Sequence, residues 1–168
     1  MSPDEAVRFL EAHQPMPPDS ELTQELITEF DDARRALEHS RERRVAELLL
    51  NSFGEGDGLG VYQLLDETLM TLPRENVVGA LQDSLRSPFA SVRSWSMEMA
   101  LDYRERALIP QAVGLLASMD RDQRVFAAYF LEEFESHDAR TVRAMQEALR
   151  RDPDEEIASV LRHWLAKR

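Results

Sequence analysis

The stretch Ser87-Pro88-Phe89-Ala90-Ser91-Val92-Arg93-Ser94-Trp95 reads as a turn running straight into a helix. Proline cannot sit in a helix interior, so Ser87-Pro88 must be a break. Helical periodicity resumes immediately after it. The same arrangement recurs along the chain. Val61, Val92, Val125 and Ile157 stand 31, 33 and 32 residues apart. Five residues before each lie Gly56, Ser87, Asp120 and Asp152, all turn or cap residues. Three residues after each lie Leu64, Trp95, Ala128 and Val160, and twelve before each lie Leu49, Ala80, Val113 and Met145.

A recurrence near 32 residues predicts a unit of helix A, a tight turn and helix B. One such pair cannot bury its apolar face alone, whereas stacked pairs bury a continuous core between neighbours. Breaks fall near Leu72-Pro73, Arg104–Arg106, His137-Asp138 and Asp152-Pro153. No segment alternates with period two for long enough to be a strand. The expected fold is all-α: a short right-handed α-solenoid of antiparallel helix pairs, about four of them over residues 41–168.

Before the repeats, residues 1–40 predict two helices acting as a cap on one single domain spanning 1–168. Ser2 can cap the first helix and Pro3 suits its first position. Gln14–Asp19 carries three prolines in four residues and must be a rigid turn. Leu22, Leu26, Phe30, Ala33 and Leu37 give the next helix, from about Ser20 to His39, one apolar face. A third helix is expected over about Arg41–Phe53. Four of the six glycines then crowd into residues 54–60, which must be a loop using positive φ angles.

Composition narrows the function. The chain has no cysteine, so thiolate nucleophiles, disulfides and Cys-bound zinc are excluded. The first residues lack the basic and apolar regions of a signal peptide, and no run approaches a membrane span; a cytoplasmic location and no membrane partner are expected. The net charge of −12 opposes nucleic-acid binding. The acidity is uneven: residues 1–40 hold ten acids and three bases, whereas 138–168 hold six and seven.

Catalytic constellations are poorly supported. Gly54–Gly60 lacks the Lys-Ser/Thr of a phosphate loop and its side chains are acidic. Only Glu55 and Asp57 there offer carboxylates, without calcium-loop spacing. His13, His39, His137 and His163 are scattered and none pairs at i, i+4. Adjacent acids such as Asp31-Asp32, Asp66-Glu67 and Glu132-Glu133 read as solvated faces. No enzyme activity, cofactor or metal is expected.

Positions one, five and nine after each B-helix start are expected on an open face: Tyr62, Asp66 and Met70, then Arg93, Met97 and Leu101, then Phe126, Phe130 and Phe134. This face is unusually apolar and flanked by acids. It is either a recognition groove or a wide buried arc of the B helices. Candidate anchors are Tyr62, Trp95, Phe126 and Phe130, with Asp57, Asp66, Glu98 and Glu133 as charged partners; Trp95 also fits a core column.

The Asp-rich turn before Val or Ile, and Ser91-Val92-Arg93, resemble HEAT repeats over about residues 43–168. The Arg of that pattern is kept only in the second unit, since Tyr62, Phe126 and Ala158 occupy its column elsewhere. A short acidic HEAT-like chain with Ser-Phe-Gly-Glu-Gly-x-Gly-x-Gly-Val-Tyr at Ser52–Tyr62 resembles the small immunity proteins of bacterial polymorphic toxin systems. That resemblance implies a binding module that neutralises one cognate toxin domain, and many such domains are basic nucleases; separately, the chain is expected to be a monomer. Two other readings stay open: a general HEAT-type scaffold or adaptor, and an enzyme of helical-repeat type, such as an alkylpurine DNA glycosylase or a bilin lyase. The former enzyme would need a basic concave surface.

Overall fold

The computed structural model describes residues 1–167. Among them every regular element is helical: α1 (Pro3–Ala12), α2 (Gln24–Ala36), α3 (Arg43–Asn51), α4 (Leu64–Met70), α5 (Arg74–Ser84), α6 (Ala90–Tyr103), α7 (Ile109–Leu115), α8 (Arg121–Glu132), α9 (Ala139–Arg151) and α10 (Glu155–Ala166), with short 3₁₀ turns at Asp19–Glu21, Gly58–Gly60 and Arg106–Leu108. No helix among these residues is long and apolar enough to cross a membrane.

Local chemistry sets the helix starts. Ser2 and Glu5 form a reciprocal capping box, with Ser2 N–H to Glu5 at 2.7 Å and Glu5 N–H to Ser2 Oγ at 3.3 Å. Thr23 caps α2 through Leu26 N–H at 3.2 Å. This cap makes α2 shorter than its apolar periodicity suggests, because Asp19–Glu21 turns separately as a 3₁₀ segment. Asp120, Asp138 and Asp154 cap α8, α9 and α10.

The chain divides into two compact units, Met1–Ser96 and Met97–Arg168, with the division falling inside α6. In the first unit α1 packs on α2, α3 packs on α5, α1 meets α3, and α2 meets α4. Phe30, Leu49, Leu50, Leu65 and Leu69 are fully enclosed there. Arg34 is buried beside Asp31 at 2.6 Å and donates to Thr68 Oγ1 at 3.2 Å, tying α2 to α4. Arg44 pairs with Glu11, and Arg43 with Asp83 at 2.7 Å, linking α3 to α1 and to α5.

In the second unit α7 packs on α8, α9 on α10, α7 on α9 and α8 on α10. Each pair thus lies first helix on first helix and second on second. Its core holds Leu108, Ala112, Phe130, Leu131, Met145 and Leu161.

The geometry shifts by two residues the register that the sequence spacing suggested at the start of α8. Phe89, Asp120 and Asp154 each precede the second helix of a pair. Two residues earlier stand Ser87, Ser118 and Asp152. Their side-chain oxygens accept the N–H groups of Phe89, Asp120 and Asp154 at 3.3, 3.1 and 3.0 Å. Three residues after the cap position come Val92, Gln123 and Ile157, all buried. Gln123, not Val125, is therefore the equivalent of Val92. A glutamine in an apolar column hides this, but its amide oxygen is satisfied by Ser118 Oγ at 2.8 Å.

The shift by two also moves the arginine column. Arg93 and Arg124 both reach back to the carbonyl six residues earlier, Ser87 O at 2.6 Å and Ser118 O at 3.0 Å. The arginine that sequence alignment assigned to one unit is thus present in two. Arg124 additionally holds Asp152 at 2.6 Å, and Arg121 holds Asp154 and Glu156, each at 2.6 Å. The first turn of α8 is thereby tied to the turn before α10.

Candidate functional site

The best-defined surface feature is the glycine loop of the first unit, residues 54–60, and it is held from three sides. Met16 N–H donates to Ser52 O at 2.9 Å, and Asp19 N–H to Glu55 O at 3.1 Å. In return the Asp19 carboxylate accepts Asp57 N–H at 3.1 Å and Gly58 N–H at 2.9 Å. Successive N–H groups pointing at one carboxylate form an anion nest, here filled by the chain itself. Gly56, at φ 99°, must lack a Cβ because that atom would overlap the Asp19 carboxylate; Gly58, at φ 63°, would place one 2.8 Å from the Tyr62 ring.

Aromatic rings support the loop from below. Tyr62 Oη accepts Gly54 N–H at 2.9 Å, and Trp95 Nε1 donates to Gly56 O at 3.1 Å. The Tyr62 ring meets Phe30, Phe53 and Trp95 edge-on at 5.8, 5.4 and 5.6 Å, while Phe53 and Trp95 stack at 5.4 Å. Such pairs contribute about 0.5–1.5 kcal/mol each beyond area burial. Burial pushes the Tyr62 hydroxyl up to about 12, against the opposing Gly54 hydrogen bond, so it stays protonated as a structural group.

At the loop tip Leu59 is 59% exposed and sits at φ 51°, ψ 35°. A left-handed conformation costs a non-glycine residue about 1–2 kcal/mol. Exposed Glu55 and Asp57 precede it. An apolar side chain is thus presented to solvent in a strained conformation, on a loop latched beneath by Asp19, Tyr62 and Trp95, and beside two carboxylates.

Of the residues expected to bind, the structure brings Asp57, Tyr62 and Trp95 together here, in different roles. Asp57 is exposed, Trp95 is half-buried, and Tyr62 is wholly enclosed. Asp66 lies half-buried on α4. In the second unit Phe126 and Glu98 are half-buried, and Phe130 is fully enclosed against Phe134 at 5.2 Å. Glu133 is exposed and paired with Arg104 at 3.1 Å.

Of these positions Tyr62, Met97, Phe130 and Phe134 are buried, Asp66, Arg93, Leu101 and Phe126 are half-buried and Met70 is exposed. The expected open face is therefore enclosed in part, as at Phe130, whose helix α8 packs on both α7 and α10. As folded, Tyr62 and Phe130 are core residues and cannot serve as surface anchors.

Sequence reasoning missed Asp19, Phe53 and Leu59. Leu59 was hidden among glycines, and Asp19 latches the loop across 39 residues. Periodicity carries no signal for such a contact; the only hint was Asp19 following the rigid Pro17-Pro18.

Catalytic geometry is thin. Among the described residues no group of three or more His, Asp or Glu could hold a metal ion. Glu98 has its carboxyl raised by burial and by the nearby Asp102 and Asp122 carboxylates. Arg121 lowers Asp154, and the Thr141 backbone N–H lowers Asp138; both belong to caps. No protein-family model matches the chain, and neither a curated protein nor a solved structure is significantly similar to it.

Proposed function

We propose that this chain is a protein-binding module of HEAT-like helical repeats arranged as a short right-handed solenoid, and that it acts as an immunity protein against a basic toxin domain. The observation that carries the binding reading is Leu59: an exposed apolar side chain held at positive φ beside Glu55 and Asp57 on a latched loop. Strain of this kind persists where the surroundings over-determine it, and it clusters at functional positions. A preorganised apolar anchor reduces the ordering cost of binding. The flanking carboxylates would steer a cationic partner and raise its association rate. The net charge of −12 favours the same sign of partner. The repeated pair packing in each unit and the Arg124–Asp152 and Arg121–Asp154 ties support the repeat architecture.

The test is affinity capture from the source organism's lysate at low and high salt, with wild type and Leu59→Gly in parallel. One salt-sensitive basic protein with a toxic domain, retained by wild type and lost by Leu59→Gly, is the expected result. Leu59→Gly relieves the backbone strain, so its thermal midpoint should not fall and lost binding cannot be ascribed to unfolding. Equal capture by both proteins would remove the loop from the interface. Several weak partners of mixed charge would favour a general scaffold or adaptor instead.

A further inference from the structure

Asp57-Gly58 is the one Asp-Gly pair in the chain. A glycine has no Cβ to shield its backbone nitrogen, so an Asp-Gly pair closes on the aspartate side chain more readily than any other aspartyl pair. Asp57 is exposed and stands two residues before Leu59. Gly58 cannot be exchanged for a larger residue, because its φ is 63° and a Cβ there would lie 2.8 Å from the Tyr62 ring. The fold therefore carries a reactive pair in an exposed loop.

The reaction open to this pair is isomerisation through a succinimide. The Gly58 nitrogen attacks Cγ of the protonated Asp57 carboxyl. An N–Cγ bond forms, the Cγ–OH bond breaks, and the hydroxyl leaves as water with the amide proton. Water then adds to one of the two ring carbonyls. Opening at Cγ restores aspartate. Opening at the original main-chain carbonyl leaves the chain running through Cβ and Cγ, one methylene longer, with the α-carboxylate as its side group. The water released is taken up again, so the net change is an isomerisation and needs no co-reactant.

The loop opposes the first step in two ways. At an Asp57 ψ of 7° the Gly58 nitrogen nearly eclipses the nitrogen of Asp57 itself, and so stands about a third of a turn from Cβ around the Cα–C bond. Ring closure needs that nitrogen alongside Cβ. The bond must therefore rotate and carry the Gly58 N–H off Asp19 Oδ1, to which it donates at 2.9 Å. Asp57 N–H donates to the other Asp19 oxygen at 3.1 Å, so both peptides flanking the Asp57 Cα are held. The second obstacle is charge. The attacking nitrogen must give up its proton, and negative charge developing there is disfavoured beside the Asp19 carboxylate. We propose that Asp57-Gly58 is a latent isoaspartate site, and that Asp19 keeps it from reacting by clamping both flanking amides. The extra methylene would move Leu59 from its held position. On the binding role given to Leu59 above, isomerisation would end that binding; the chemistry itself does not depend on that role.

The full chain is held at neutral pH and physiological temperature for several weeks and then cut with trypsin. The peptide Val45–Arg74 carries Asp57. Isomerisation leaves its mass unchanged, so electron-transfer fragmentation locates the isoaspartate. The same chain unfolded in guanidinium chloride sets the unrestrained rate. Wild type should isomerise at Asp57 far more slowly than the unfolded chain. Asp19→Ala should quicken the folded reaction by about 5- to 30-fold, the rise in locally open loop that loss of such a latch produces. Tyr62→Phe removes the acceptor of Gly54 N–H but leaves the nest intact, so it should keep the wild-type rate. Amide exchange in α3 checks that Asp19→Ala stays folded. Should it unfold, Asp19→Asn replaces it; this variant keeps an acceptor oxygen but no charge, and should also react faster than wild type. Equal rates in wild type and the Asp19 variant, a wild-type rate equal to that of the unfolded chain, or equal acceleration by Tyr62→Phe would overturn the proposal. None of these outcomes bears on whether Leu59 binds a basic protein, so the two readings fail separately.

Discussion

Asp19 Oδ1 accepts the backbone N–H of Gly58 at 2.9 Å, so a carboxylate from the proline-rich turn fills the nest of a glycine loop 39 residues away. Asp57 N–H completes the nest by donating to Asp19 Oδ2 at 3.1 Å. Asp19→Ala should cost about 1–2 kcal/mol, because it leaves two N–H groups without their anionic acceptor. Thermal unfolding measures the loss. Amide exchange at Asp57 and Gly58 should quicken while that of α3 stays unchanged, and unchanged exchange at both loop amides would show that the carboxylate does not hold the loop.

Two glycines of the same loop should respond differently to alanine. At Gly60, φ 95°, a Cβ meets no atom within 4 Å. Gly60→Ala therefore bears only the backbone cost, about 1–2 kcal/mol. At Gly58 the Cβ must also displace the enclosed Tyr62 ring, which adds about 1–3 kcal/mol. Chemical denaturation should rank Gly58→Ala as the more damaging; the reverse order would mean the ring yields freely.

The two arginines in the first turn of α8 should not be equivalent. Arg124 is 17% exposed and its partner Asp152 4% exposed. Removing one member of such an enclosed pair strands the other charge, and Arg124→Ala should cost about 3 kcal/mol. Arg121 bonds two carboxylates but is 51% exposed, so solvent screens its pairs and Arg121→Ala should cost far less than Arg124→Ala. Urea midpoints of the two variants decide the comparison, and similar losses would refute it.

Glu98 should make stability depend on pH in the direction opposite to a salt-bridged acid. Burial, then the Asp102 and Asp122 carboxylates, raises its carboxyl above the usual range in the folded state. The folded chain then binds that proton more tightly than the unfolded chain. The Glu98 contribution is most favourable below the ordinary carboxylate range and is lost as pH rises through the raised value. Glu98→Gln should stabilise the protein at neutral pH and lose that advantage near pH 4. A midpoint difference that does not change between these conditions would rule the charge out as its cause.

The sequence by itself determined the helical class and most helix positions, because these rest on local terms. Apolar spacing near 3.6, caps such as Ser2, Asp120 and Asp154, and proline breaks act within a few residues of one another. Burial of Val61, Val92, Val125 and Ile157 follows from the same periodicity. Tertiary structure alone decided the register of Gln123, because a polar residue is admitted to a core column only if a neighbour such as Ser118 satisfies it. It alone enclosed Tyr62 and Phe130, since the width of a helix's buried arc depends on how many neighbours it packs against. It also placed Asp19 under the glycine loop and left Leu59 at its tip: a hydrogen bond between distant residues depends on where the chain returns in space, and no pattern of local spacing records that position.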